Sequence, residues 1–340
     1  MAALEEQIRQ HPERYRVLTG DRPTGPLHLG HYLGTLANRV RLQRAGVEVF
    51  LVIADYQVIT DRDSVGDLSD AVRELVLDYL AAGIDPAAAT IFTHSSVPAL
   101  NQLLLPFLSL VTVAELGRNP TVKAEAAATR RRGMSALLFT YPVHQAADIL
   151  FCHGNLVPVG RDQLPHVETT RLIARRFNER YAAGKTIFRE PDALLTAAPV
   201  LLGTDGAKMS KSRANTIALR DDEDRTAALL RRAKTDSERT ITYDPDGRPE
   251  VSNLVLIAAL CAGRDPVDVA DELGDGGSAA LKALVTEAVN EELRPLRRRR
   301  RELAAEPGYL RQVLAEGNAR ANDIADGTLR RVREVMDMAY

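Results

Sequence analysis

Short apolar runs alternate with segments of helical spacing along the first hundred residues. Arg16 to Leu18 (RVL) is short and apolar and reads as a buried strand, and Tyr32 to Gln43 places Leu33, Leu36 and Val40 on one helical face. Val47 to Ile53 (VEVFLVI) is a β-branched and aromatic run suited to a sheet covered on both faces. Leu68 to Ala82 is an amphipathic helix closed by Gly83, and Ala89 to Thr93 (ATIFT) is a further strand. The order βαβαβ predicts an α/β fold with a doubly wound parallel sheet.

Val97 to Leu116 reads as helix interrupted at Pro106, and Lys123 to Arg132 (KAEAAATRRR) is small, charged and expected to be mobile. Leu137 to Phe151 is apolar apart from Tyr141, His144, Gln145 and Asp148. Asn155 to Gly160 is a strand ending at a glycine, before a helix around Val167 to Asn178. From about Asp221 the pattern becomes helical and charged: Asp221 to Lys234, Val251 to Ala262, a turn at Gly274 to Gly277, then long helices over Ala279 to Arg301 and Tyr309 to Met338. This shift divides the chain into 1–220, the α/β domain, and 221–340, an all-helical domain. No internal repeat is visible.

Composition narrows the class without changing that outline. An apolar fraction of 45% over 340 residues is enough for an ordinary core. No run approaches the ~18 apolar residues of a membrane span, and the first fifteen residues carry charge and no apolar signal core, so a cytoplasmic location is expected. Cys152 and Cys261 lie far apart and show no paired ligand spacing, which indicates neither a disulfide framework nor a structural zinc. A net charge of -2 argues against indiscriminate nucleic-acid coating but leaves room for a local basic face.

Five stretches carry candidate chemistry. Thr19 to Gly34 (TGDRPTGPLHLGHYLG) is a Gly- and Pro-punctuated turn between strand and helix, where backbone N–H groups favour an anion. The polar group Asp55, Tyr56, Gln57 follows a strand, at the sheet edge where open α/β folds bind ligands. Tyr141, Gln145 and Asp148 share one helical face, which is a satisfied buried cluster, a solvent-facing stripe or a pocket wall. Leu201 to Asn215 (LLGTDGAKMSKSRAN) is a glycine-containing basic loop able to close over a polyphosphate. Arg297 to Arg301 suits phosphate contacts or forms a solvated helix face, partly neutralised by Glu291, Glu292 and Glu302.

His28-Leu29-Gly30-His31 and Lys208-Met209-Ser210-Lys211-Ser212 resemble the HIGH and KMSKS signatures of class I aminoacyl-tRNA synthetases. TYPVHQAADIL, VPVGRDQLPHVETTR and KTDSERTITYDPDGRPEVSNL extend the resemblance, in order, to tryptophanyl-tRNA synthetases over nearly everything from Arg16 onward. The resemblance implies a Rossmann-like catalytic domain, a helical anticodon-binding domain whose last helix returns to the first, and a homodimer. It implies activation of L-tryptophan by ATP with Mg²⁺, then transfer to tRNA(Trp). His28, His31, Lys208 and Lys211 are the implied catalytic groups. Arg22, Pro23, Thr24, Gly30, His31, Gly160, Arg161, Asp162, Val200 and Lys208 to Ser212 line the implied ATP site, although Arg161 stands where many bacterial relatives have an acidic residue.

The implied tryptophan pocket takes Leu18, Gln57, Tyr141, Gln145, Asp148 and Gln163, with Asp148 accepting the indole N–H and Tyr141 and Gln163 holding the ammonium. Gln145 replaces the common Met and Gln57 a His, as in a second, divergent bacterial subgroup. The Tyr-x-x-x-Gln-x-x-Asp spacing is also similar to tyrosyl-tRNA synthetases, which are the competing expectation. A synthetase-like paralogue with a binding or regulatory role is another, and nucleotidyltransferases with a His-x-Gly-His turn are a third.

Overall fold

The computed structural model describes residues 2–60, 66–128, 134–160, 163–195 and 200–340. Helix α1 (Ala2–Gln10) precedes strand β1 (Arg16–Asp21), which leads through the turn to α2 (Leu29–His31). That helix continues as a π-helical turn (Tyr32–Leu36) into α3 (Ala37–Arg44), and then come β2 (Glu48–Ile53), α4 (Leu68–Ala82) and β3 (Ala89–Thr93). Four helices follow: α5 (Pro98–Gln102), α6 (Leu104–Leu108), α7 (Val113–Arg118) and α8 (Pro120–Ala128). Next are α9 (Ala136–Phe151), β4 (Leu156–Val159), α10 (Leu164–Arg180) and β5 (Asp192–Leu195). The helices beyond β5 are α11 (Glu223–Arg231), α12 (Pro249–Ala262), α13 (Pro266–Leu273), α14 (Gly277–Ala304) and α15 (Pro307–Val335).

The five strands form a parallel sheet in the order β3-β2-β1-β4-β5. Alternate residues explain why β2 reads as one apolar run. Val49, Leu51 and Ile53 enter one buried cluster with α4, α12 and α14, while Phe50 and Val52 enter another with α9, α10 and the end of α15. A sheet covered on both faces needs apolar side chains on both. The fold is Rossmann-like, and its chain reverses direction across the sheet between β1 and β4, the place where such sheets bind ligands.

Helix α15 closes the β3 edge. Gly317 is required there, because a Cβ at that position would stand 1.9 Å from the Ile91 carbonyl oxygen. Asn318 Oδ1 accepts from the Thr93 N–H at 3.0 Å, and Thr328 Oγ1 donates to the Phe151 carbonyl at 2.7 Å.

Three expectations need correction. The helix after the turn begins at Leu29 rather than Tyr32, since the Leu29 N–H is already bonded to the Ile217 carbonyl and the π turn absorbs the change in winding. The segment after Val97 does not break at Pro106, which sits in the first turn of α6 where its missing N–H costs nothing; the breaks fall at Leu103 and after Leu108. Lys123 lies in the regular helix α8, and residues 129–133 fall outside the described set. Among the described residues, no helix is long and apolar enough to cross a membrane.

Candidate active site

Each parallel strand delivers its carboxyl end to the same edge of the sheet, and the candidate residues gather there. β1 ends at Asp21, whose carboxylate pairs with the buried Arg39 and accepts from the Tyr79 hydroxyl at 2.7 Å. Burial works against that charge, but the Arg39 guanidinium outweighs it and holds the Asp21 carboxyl well below the usual range. This buried pair fixes where the turn starts.

Across the turn, His28 is extended and bridges antiparallel to Ala218, with Leu29 N–H donating to Ile217 O and Leu219 N–H donating to Leu27 O, both at 2.9 Å. The strand-like segment after the basic loop is therefore laced to the turn, which is why two motifs 180 residues apart in sequence meet. The His28 N–H donates to His31 Nδ1 at 3.2 Å, so the neutral His31 ring carries its proton on Nε2. Their ring centroids are 3.7 Å apart. Burial, aided by the other histidine and Lys211, pushes His28 down to about 3. Burial likewise brings His31 down to about 4 against the pull of Asp21. Both rings are neutral donors at pH 7.

Gly30 marks the crossing of the two motifs. A Cβ there would stand 3.1 Å from the His28 ring and 3.4 Å from Met209 Sδ. Lys211 Nζ donates to the Gly25 carbonyl at 2.8 Å, while Lys208 is exposed. Asn215, buried and unremarked in the sequence, braces the loop from inside. Its Oδ1 accepts from Ser210 N–H at 2.9 Å, and its Nδ2 donates to Asp205 at 2.7 Å and to the Lys208 carbonyl at 3.2 Å.

The Tyr141, Gln145 and Asp148 face of α9 turns inward, with the first two half-buried and Asp148 buried, so it is no solvent stripe. Tyr141 Oη meets His166 Nε2 at 3.0 Å, and His166 Nδ1 faces the Asn119 amide at 3.4 Å. Asp148 Oδ1 lies 2.8 Å from Nε2 of the fully buried His94. Gln57 reaches His144 Nδ1 at 2.9 Å, and His144 Nε2 reaches Asn101 Oδ1 at 2.9 Å. Leu18 is buried in β1, with Gly160 and Gln163 half-buried beyond β4 and joined by a Gln163 N–H to Gly160 O bond of 3.1 Å. Arg22 is exposed, Pro23 buried and Thr24 half-buried in the turn. Val200 is exposed at the entrance to the basic loop, and Arg161 and Asp162 lie outside the described residues.

Sequence reasoning passed over His94, Asn101, Asn119 and Asn215. His94 was within reach, since it directly follows β3 at the edge that singled out Asp55 and Gln57. Nothing local marks Asn215, whose partners are set by the fold of its own loop.

Known proteins of this architecture bear on the chemistry. A curated tryptophan--tRNA ligase from Treponema pallidum is 44% identical over 333 residues, covering 95% of this chain and 97% of its own. One from Clostridium longisporum is 39% identical over the same shares. The crystal structure of a tryptophanyl-tRNA synthetase from Campylobacter jejuni, complexed with ADP and tryptophan, superposes with a TM-score of 0.79 at 32% identity, covering 95% of this chain and 99% of that one. With the sequence profile of the tRNA synthetases class I (W and Y) matching residues 10–294 as well, the chain belongs to that family.

Proposed function

We infer that the chain is a tryptophan--tRNA ligase, joining L-tryptophan to ATP as the adenylate with loss of pyrophosphate and passing the aminoacyl group to tRNA(Trp). The observation that carries the mechanism is the meeting of the His28 to His31 turn with the Lys208 to Ser212 loop, through Met209 at Gly30 and Lys211 at Gly25. A triphosphate laid along the turn has neutral imidazole donors on one side and two lysines on the other. In adenylation a carboxylate oxygen of tryptophan attacks the α-phosphorus and the bond to the pyrophosphate oxygen breaks, so negative charge moves to the leaving group. Donors held in place beforehand are worth about 3 kcal/mol each in such a step.

In this reading His28 and His31 donate to the phosphates, and Lys208 and Lys211 hold the departing pyrophosphate. Mg²⁺ arrives as the ATP complex, held chiefly by phosphate oxygens. Arg22, Pro23, Thr24, Gly30, Gly160, Arg161, Asp162, Val200, Met209, Ser210 and Ser212 line the nucleotide, as the family motif suggests. Leu18, Gln57, Tyr141, Gln145, Asp148 and Gln163 enclose the amino acid. The Asp148 carboxylate accepts the indole N–H, the one polar mark that separates indole from a plain aromatic ring; a site built around such a bond rejects analogues lacking it by ~10⁴ or more. Tyr141 is backed by His166, which aims its hydroxyl. Residues 1–220 serve as the catalytic domain and 221–340 as the anticodon-binding domain of a cytoplasmic homodimer.

ATP–pyrophosphate exchange with tryptophan and tyrosine side by side tests the reading. Exchange with tryptophan alone is expected, falling by about 100-fold in His31→Ala and in Lys211→Ala. Exchange driven by tyrosine, or insensitivity to both substitutions, refutes it.

A further inference from the structure

Asp148 is not alone in its pocket, and the group behind it determines what it can recognise. His94 follows β3, has no solvent exposure, and presents Nε2 at 2.8 Å from Asp148 Oδ1. The two lie within ion-pair distance, an ion pair when the ring is protonated, and the contact is not lined up as a hydrogen bond. We propose that His94 is the positioning residue of the amino-acid pocket, the buried counter-charge that keeps the Asp148 carboxylate ionised and fixed as a pure acceptor for the indole N–H. This rests on the reading of Asp148 as the indole acceptor and goes beyond it.

Among the described residues around Asp148, the hydrogen bonds hold His144 neutral and leave His94 as the group able to carry the counter-charge. Asn101 Nδ2 donates to the His94 and Val97 carbonyls at 3.4 Å, which turns Asn101 Oδ1 toward His144. His144 Nε2–H therefore donates to Asn101 Oδ1, and its Nδ1 accepts from Gln57 Nε2. A ring with one nitrogen donating and one accepting is neutral, and burial also lowers the affinity of His144 for a second proton. His94, His144 and Asp148 offer donor atoms within 4.8 Å of one another, as a metal site would, but both His144 nitrogens are already engaged.

Among the described residues, the groups facing His94 come from three elements. Asp148 and His144 face it from α9, Asp55 from the end of β2, and the Tyr56 ring stacks on it at a centroid distance of 6.4 Å. Asp55 is itself satisfied by the Ser95 N–H and hydroxyl and by the Tyr56 N–H. Burial disfavours the His94 cation, but Asp148 and then Asp55 outweigh it and raise its pKa. Without a partner cation, burial favours the protonated form of a carboxyl group. A carboxylic acid is a poorer acceptor and offers an O–H of its own, so the distinction between indole and other rings blurs.

The test compares His94→Gln with the unaltered enzyme in ATP–pyrophosphate exchange across about pH 6 to 8.5. In the variant KM for tryptophan is expected to rise about tenfold at pH 6.5 and to approach the unaltered value at pH 8.5, with kcat and the ATP KM little changed. A rise in KM that is the same at every pH, or an equal loss in ATP KM, means a merely structural role and overturns the proposal. An unchanged tryptophan KM overturns it too. Asp148→Asn, run beside it, separates the two readings: if that variant keeps the normal tryptophan KM, Asp148 is not the indole acceptor, whatever His94 does. Should His94→Gln fail to fold, the unaltered protein decides by ¹⁵N-histidine NMR in the tryptophan complex at pH 7. Two protonated His94 nitrogens support the proposal, and a neutral ring or a stoichiometric bound metal refutes it. The chain contains no tryptophan residue, so the indole signal in these titrations comes from ligand alone.

Discussion

At the scale of single residues, the two motif histidines show how burial sets a protonation state. In the unfolded chain each titrates near ~6.5, whereas in the fold His28 sits at about 3 and His31 at about 4. A histidine whose folded pKa is depressed binds fewer protons folded than unfolded between those values, so stability falls as pH drops through the unfolded pKa and continues to fall toward the folded one. Urea denaturation is therefore expected to give a lower midpoint at pH 5 than at pH 7.5, with the pH dependence reduced in the His28→Gln, His31→Gln double variant. Identical pH dependence in both proteins contradicts the assignment. Motif spacing alone was enough to single out His28 and His31. The Asp21, Arg39 and Tyr79 cluster beneath them went unseen, because its members lie 18 to 58 residues apart and only the packing of α3 and α4 on the end of β1 unites them.

At the scale of elements, what could be read was what obeyed one local rule. Strands β2 and β3 and helix α4 were visible from apolar pattern, because burial on both sheet faces or on one helix face writes itself into the sequence. Strand β5 has the helix-prone sequence DALL and is a strand only because it pairs with β4, and α13 is eight residues long with no extended apolar face to announce it. The basic loop is a third kind of element, held by one side chain. Asn215→Ala removes the acceptor of the Ser210 N–H and the donor to Asp205 and Lys208, at a cost of about 1–3 kcal/mol for buried groups left unpaired. With the loop in its proposed role of gripping the departing pyrophosphate, kcat for exchange is expected to fall by about tenfold or more, with the tryptophan KM nearly constant. Steady-state kinetics showing the reverse split argue against a brace on the phosphate side.

At the scale of the whole molecule, the run Arg297 to Arg301 looked like one phosphate-binding or solvated stripe and divides instead by side. Arg297 is buried on Thr226 and Asn290, and Arg300 grips Glu74 and Asp78, leaving Arg298, Arg299 and Arg301 exposed. The Arg300 contact reaches the candidate site at the His28 turn through two bonds. Arg300 Nε donates to Asp78 Oδ1 at 2.8 Å, and Asp78 Oδ2 accepts from the Leu27 N–H at 3.2 Å, one residue before His28. Burial already raises Asp78, and the Arg300 guanidinium is the main influence opposing protonation. Arg300→Ala thus leaves a buried carboxyl uncompensated, which typically costs ~3–5 kcal/mol. It also weakens the acceptor that fixes Leu27, so the turn loses part of its register against residues 217–219. Exchange activity is expected to drop several-fold and the urea midpoint to fall, whereas Arg299→Ala, on the exposed side of the same helix, changes neither. A double-mutant cycle of Arg300→Ala with Asp78→Asn measures the coupling directly, with an expected interaction of about 1–3 kcal/mol. Additive effects, or an Arg299→Ala variant that behaves like Arg300→Ala, mean that the helical half does not hold the His28 turn through this pair.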